Sequence, residues 1–199
     1  MTRMSITNTP RTATADDAAD ISRTLARAFA DDPMMCWFFP DEATRAEGLG
    51  RYFETLFTQH YGRHGVCERT DLAAAFWVAP GGRALPDEQT LDALGAVLGD
   101  RAPLFREGIE AAAEHAPPEE HWYLAVVGAD PDGQGQGHGA ALLRSGLAQA
   151  DAAGLPVYLE SSKEANLPFY EHLGFTVLGE AQLPGGGPTL WVMRRAPRA

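Results

Sequence analysis

Apolar residues recur along this chain in two periods, and the alternation between them lays out its elements. Ser5 to Thr12 reads as a first strand, and Thr14-Ala-Asp-Asp17 as a helix start with acids in its first turn. Ile21, Leu25, Ala28 and Phe29 then share one helical face, which is core. Ala30 to Pro40 has no clean period and is flanked by prolines, which predicts a loop or broken turn. Leu49, Phe53, Leu56, Phe57 and His60 return to helical spacing between Asp41 and about His60, and His60 and His64 read as interhelical or surface residues. Val66 to Arg69 and Ala73 to Val78 form a strand hairpin across Thr70-Asp71, closed by Ala79-Pro-Gly-Gly. Leu91, Leu94, Val97 and Leu98, then Leu104, Phe105, Ile109 and Ala113, predict two further helices that stop at Pro117-Pro118.

The centre of the chain is His121 to Ala140. Tyr123 to Val127 is a short apolar run suited to a buried strand, and Asp130-Pro-Asp-Gly133 ends it in a turn. Glycine follows at 133, 135, 137 and 139, and Ala141, Leu142, Leu143, Gly146, Leu147 and Ala150 then recur at helical spacing. Glycines at a helix mouth let several backbone N–H groups approach one anion, and the helix dipole adds attraction. The ligand implied is a phosphate or pyrophosphate. Val157 to Glu160 is a second strand; Asn166, as N-cap, and Gly174, at C′, bound a short helix over 166–173. Phe175 to Leu178 and Thr189 to Arg194 close the chain as a hairpin around Gly185-Gly-Gly187.

With 199 residues, 45% apolar and 22% charged, the composition is that of one soluble domain spanning 1–199, with an ordered core over about 5–195. The net charge of −11 argues against a nucleic-acid or anionic-membrane partner. Cys36 and Cys67 are too few for a disulfide framework or a cysteine zinc site, and no metal is expected. The N-terminus lacks the apolar core of a signal peptide and no stretch approaches membrane-spanning length, so the expected location is the cytoplasm.

Two families write the glycine loop in similar letters. Gly135-x-Gly137-x-x-Ala140, with Glu160 near the place of a ribose-binding acid, fits the dinucleotide fingerprint of nucleotide-binding oxidoreductases. Gln134-x-x-Gly137-x-Gly139 resembles the pyrophosphate loop of the GNAT superfamily of N-acetyltransferases, which bind acetyl-coenzyme A. Only 39 residues follow Glu160, too few for a second mononucleotide half. Asn166-Leu-Pro-Phe-Tyr170-Glu-His-Leu-Gly174-Phe175 resembles the second coenzyme A motif of the GNAT family. The likeness is greatest to its puromycin N-acetyltransferase branch, through 23–33, 122–139, 159–162 and 166–177.

The resemblance implies an α/β (α+β) fold with a mixed, mostly antiparallel twisted sheet, flanking helices, and two central parallel strands that splay apart. It implies that backbone of Val127, Gly128 and Ala129 holds the pantetheine arm, that Gln134, Gly135, Gln136, Gly137, His138, Gly139 and Ala140 cradle the pyrophosphate, and that Asn166 and Tyr170 complete the cofactor site. Tyr170 matches the family's tyrosine acid. The family's strand glutamate falls at Tyr123 here, so Glu160 is the first candidate for the base, directly or through a water, and His121 the second. Trp37, Phe38 and Phe39 beside Asp31 and Asp32 either wall an aromatic, anionic recess, which with Tyr123 would bind the acceptor, or plug the core beneath a loop. The expected activity is direct acetyl transfer to a primary amine of a small molecule by a monomer or homodimer; a catalytically silent acetyl-coenzyme A-binding module is the alternative within the same fold.

Overall fold

The computed structural model describes residues 6–198. Seven strands form one sheet in the order β1-β2-β3-β4-β5-β7-β6: β1 Arg11–Thr12, β2 Val66–Arg69, β3 Ala73–Val78, β4 Trp122–Ala129, β5 Val157–Ser161, β6 Thr176–Gln182 and β7 Thr189–Arg195. Every neighbouring pair is antiparallel except β4 and β5, as a mixed, mostly antiparallel sheet requires. The first strand is far shorter than the stretch expected, and Ser5 lies outside the described residues.

The helices are α1 Ala18–Ala28, α2 Pro33–Phe38, α3 Glu42–Thr55, α4 Gly62–His64, α5 Glu88–Leu98, α6 Ala102–Ala113, α7 His138–Ala152 and α8 Leu167–His172. Between α3 and α4 the chain winds as a π-helix over Leu56–Tyr61, so the long helix expected to end near His60 runs on with one wider turn. The aperiodic stretch after α1 is not all loop, because Asp32 caps α2. Its Oδ1 accepts from the amides of Met34 at 2.9 Å and Met35 at 3.1 Å, and Pro33 is preset for the first helical position. Asn166 stands at the N-cap position of α8 as expected, but it ends a 3-10 turn over Glu164–Asn166 with helical dihedrals and its side chain makes no cap bond. His60 is buried rather than superficial, with Nε2 3.3 Å from the Ala84 carbonyl oxygen.

Alternation along β3 sorts the core. Ala74, Phe76 and Val78 face the layer built from α1, α3, α5 and α6, whereas Ala73, Ala75 and Trp77 face α7 and α8. On β4 this alternation breaks once. Phe76 pairs with Val126 and Trp77 with Leu124, so Ala125 is the extra residue of a bulge. Ala125 and Val126 therefore pack on the same side, and Val127 and Ala129 turn toward α7. Gly128 is left against α1, where a Cβ would come within 2.9 Å of the Ala28 Cβ.

The approach of α7 to the sheet depends on Gly146, since a Cβ there would fall inside the buried Trp77 indole. Helix propensity alone favours alanine by about 1 kcal/mol. Overpacking costs about 1–3 kcal/mol and wins here, because the indole is fixed on every side. Gly146→Ala is thus expected to lower stability, read as a lower urea midpoint with unchanged slope; a raised midpoint would show that α7 moves away freely.

Candidate active site

The site begins where β4 and β5 part. They are paired at Trp122 with Val157 and at Tyr123 with Tyr158, and nowhere beyond. Past that point β4 pairs only with β3 and β5 only with β7, so the two inner edges carry unpaired main-chain donors and acceptors. A cavity of about 610 Å³ opens into this gap, lined by Leu124 to Val127 on one side and Leu159 to Ser162 on the other.

The glycine loop follows directly from the end of β4. Asp130 turns the chain, with Oδ1 accepting from the Asp132 amide at 2.9 Å and Arg27 at 3.0 Å from its other oxygen. Gly135 and Gly137 have φ of +76° and +83°, where a side chain is strained, and Gly137 leads straight into α7. The amides of Gln134 and Gln136 are taken up by turn bonds to Pro131 and Gly133 at 3.3 and 3.2 Å. Those of Gly135, Gly137, His138, Gly139 and Ala140 reach no backbone acceptor among the described residues. His138 contributes only main chain to this mouth, because its ring is buried and Nδ1 sits 2.8 Å from the Thr70 hydroxyl.

Deeper in the gap stands Glu160. The Tyr158 hydroxyl donates to its Oε1 at 2.7 Å and the Tyr123 hydroxyl to its Oε2 at 2.9 Å. All three line the cavity. Surrounding protein strips water from the Glu160 carboxyl and raises its pKa above the ordinary carboxylate value, while the two phenols oppose that rise by stabilising the anion. Both phenols are held protonated in turn, first by burial and then by the carboxylate charge.

Tyr170 arrives from the other face of the sheet. Its ring packs in the α7 and α8 layer against Phe175 at 5.8 Å, yet it lines the cavity, so it reaches the gap between the parted strands. Burial, reinforced by the charge of Asp32, pushes its phenol up to about 12. Asp32 is tied down besides: the Ser162 hydroxyl donates to Oδ2 at 2.5 Å, joining the α1–α2 turn to the end of β5. Burial raises the Asp32 carboxyl, with the Ser162 bond opposing it.

The structure brings Glu160, Tyr123, Tyr170, Asn166, Asp32, Phe38, Val127 and His121 into the lining of one cavity, whereas Gly128, Ala129 and Gln134 to Ala140 lie outside that lining. His121 lies at its rim, just before β4, with its ring 5.7 Å from Tyr158 and Nδ1 2.7 Å from the Glu119 carbonyl oxygen. Three of the recess residues expected from sequence lie outside the lining; one, Phe39, is buried in the core with its ring 6.0 Å from that of Tyr52. Asp31 is exposed and paired with Lys163 at 2.8 Å, and Trp37 packs against Gly187 with the Arg101 guanidinium 5.9 Å from its ring. Tyr158 was missed, although strand alternation from Glu160 places it on the same face. Leu56 and Tyr61 were missed too: the π-helical turn aims both at the cavity, and nothing in an amphipathic period announces such a turn. Among the described residues, no group of three or more His, Cys, Asp or Glu side chains is placed to hold a metal ion.

A mixed sheet parted at its single parallel pair, with a glycine loop between the first parted strand and α7 whose amides lack backbone acceptors among the described residues, is the framework of an acyl-group transferase. The chain matches the model of the Acetyltransferase (GNAT) family over residues 27–175, and it belongs to that family. An uncharacterized N-acetyltransferase of Schizosaccharomyces pombe is 29% identical over 178 residues, covering 81% of this chain and 71% of that protein. A mycothiol acetyltransferase of Nocardioides sp. is 33% identical over 158 residues, 76% of this chain and 53% of the relative, so the chain spans about half of that protein. Among solved structures, a Corynebacterium glutamicum protein described as histone acetyltransferase HPA2 and related acetyltransferase superposes with a TM-score of 0.73 at 26% identity, over 96% of this chain and 97% of that one. No helix among the described residues is long and apolar enough to cross a membrane.

The Glu160 cluster makes a direct prediction. Because its folded pKa is raised, Glu160 favours folding at low pH and loses that contribution as the pH climbs through the folded value. Tyr158→Phe removes one of the two bonds to the carboxylate, so the Glu160 pKa should rise further. Carbon-13 NMR titration of the Glu160 carboxyl reads this; a fall, or no change, would mean that the phenol does not stabilise the anion.

Proposed function

We propose that this acetyltransferase moves the acetyl group of acetyl-coenzyme A directly onto a primary amine of a small molecule. The observation that carries the reading is that a loop of amides with no backbone acceptor follows directly from β4, the strand whose parted edge opens onto the cavity that Glu160 lines. When bound, acetyl-coenzyme A supplies an acetyl group already activated as a thioester. The amides of Gly135, Gly137, His138, Gly139 and Ala140, at the positive end of α7, would hold its diphosphate. The open edge of β4 through Val127, Gly128 and Ala129 would receive the amides of its arm, with Asn166 and Tyr170 on the opposite wall.

The chain's own residues then handle two protons. An amine arrives as an ammonium, and the Glu160 carboxylate takes its proton, directly or through a water. A raised pKa makes Glu160 a stronger base than an exposed carboxylate. His121, at the rim, is the second candidate. Tyr170 holds a proton on its phenol at neutral pH and offers it across the gap to the departing sulfur. No thiol competes for the acetyl group: Cys67 is buried with its pKa pushed up to about 12, and neither cysteine lines the cavity. A Cys-based acyl-enzyme is therefore disfavoured.

The nicotinamide reading of the same loop loses its support, because dinucleotide domains need a run of parallel strands and here one pairing of six is parallel. A silent acetyl-coenzyme A-binding module would need neither Glu160 nor Tyr170 turned toward the gap. None of the relatives quoted above is named for puromycin, so the acceptor is argued from the cavity instead.

Two experiments test this. At one hundred times its Kd a ligand stabilises the folded state by about 2.7 kcal/mol, so acetyl-coenzyme A should raise the melting temperature while NADH and NADPH do not. Gly137→Val should abolish that shift, and an equal response to NADH would overturn the reading. Tyr170→Phe should lower kcat by about 100-fold, the usual worth of a positioned acid, with acetyl-coenzyme A affinity unchanged. An unaltered kcat removes Tyr170 from the chemistry.

A further inference from the structure

The same cavity defines what can sit beside the thioester. Its lining contains the carboxylates of Asp32, Glu119, Glu120 and Glu160, and no lysine or arginine among the described residues. Asp32 is consumed by its cap and by Ser162, and Glu119 by Arg194 at 2.9 Å, outside the lining. Glu120 is exposed to solvent, so Glu160 is the carboxylate left facing the cavity interior. Around it the walls are hydrocarbon: Phe38, Phe53 and Leu56 below, Phe105 and Ile109 from α6, and Leu190 from β7. These walls offer a buried positive charge one seat, and the polar side chains of the lining other than its carboxylates, among them Tyr52, Ser161, Asn166 and Tyr170, carry no negative charge.

We propose that the acceptor is a hydrophobic monoamine, an amino group on an aromatic or branched hydrocarbon body that bears no carboxylate or phosphate. The proposal rests on the acetyl-transfer reading above and adds the class of acceptor to it. Two physical terms set the class. An anion carried into this cavity would lose its water beside Glu160 and find no lysine or arginine, with the His121 imidazole confined to the rim. Burial of an apolar body against these walls gives back free energy in proportion to the area removed from water. An α-amino acid suffers the first term. A polyhydroxylated or polycationic amine forgoes the second, and a polycation finds no second carboxylate free in the interior. The Tyr123 and Tyr158 phenols, already committed to Glu160, hold the carboxylate where a single ammonium meets it.

The test uses pairs that differ only in the carboxylate: tryptamine against tryptophan, and 2-phenylethylamine against phenylalanine. Spermidine, an aminoglycoside and a short peptide amide serve as polar amines, and release of free thiol from acetyl-coenzyme A is the readout. The expected result is a kcat/KM at least about 100-fold higher for each arylalkylamine than for its amino acid, and higher than for any polar amine. Ile109→Arg, which places a cation on the partly buried α6 wall, should shift the tryptamine to tryptophan ratio toward tryptophan by about tenfold or more. Equal or preferred use of the amino acids, or a polar amine as the best acceptor, overturns the acceptor class and leaves acetyl transfer standing. Calorimetric binding of tryptamine against tryptophan without coenzyme separates the two claims. Tryptamine binding with no acetyl-coenzyme A response sinks the transfer reading alone. Absence of tryptamine binding and turnover, with acetyl-coenzyme A still bound, sinks the acceptor class.

Discussion

Everything of consequence in this molecule follows from two strands that stop pairing. After Tyr123 meets Tyr158, β4 and β5 lean on different neighbours, β3 and β7, and the sheet stays continuous only through that short contact. Inside a sheet, each abandoned N–H and C=O must find another partner or lose about 1–3 kcal/mol. The gap therefore creates a standing demand for a ligand with its own amides and carbonyls. The Ala125 bulge belongs to the same event: it adds local twist and resets which side Val126 and Val127 face, just where β4 parts from β5.

That opening also fixes the electrostatics. A carboxylate at position 160 in a continuous sheet would either reach water or be excluded by packing. At the edge of a gap it is instead surrounded by protein yet open to the cavity, so burial raises its pKa while two phenols keep it anchored. The opposing effects matter because they separate position from protonation. Tyr123 and Tyr158 hold the oxygens in place whichever proton state prevails in the cycle, and burial keeps the anion reactive toward an ammonium. Tyr170 is the complementary case, a phenol fed into the same gap from the opposite layer and kept protonated by burial and the nearby Asp32 charge.

Much of this was legible in the sequence, because period and punctuation are local. The central strand, the glycine loop and its helix read correctly from Tyr123 to Ala150, and Glu160 and Tyr170 were named from motif and register. What escaped is the part set by distant partners. α2 was hidden because its period is too short to count, and its stability comes from the Asp32 side chain. The π-helical turn was hidden because one extra residue in a helix leaves the apolar pattern almost intact while rotating Leu56 and Tyr61 toward the cavity. Asp31 and Asp32 are adjacent and chemically alike, and only folding divides them. One pairs with Lys163 in solvent, and the other is buried as a cap. Trp37 is deflected by its contacts with Gly187 and Arg101, which lie far away in sequence.

The Asp32 to Ser162 bond shows how the gap is kept open rather than merely left open. Ser162 follows the last residue of β5, and Asp32 closes the turn after α1, the helix that packs on β4 across Gly128. The bond therefore joins the free end of one parted strand to a layer that grips the other. With Oδ1 fixed by the amides of Met34 and Met35, Asp32 cannot follow a drifting β5 without uncapping α2. Closing the gap would require loss of that cap, worth about 1 kcal/mol, together with a hydrogen bond to a buried carboxylate worth about 1.5–3 kcal/mol. With both oxygens engaged, the Asp32 carboxylate thus ties together the layers that flank the gap on either side.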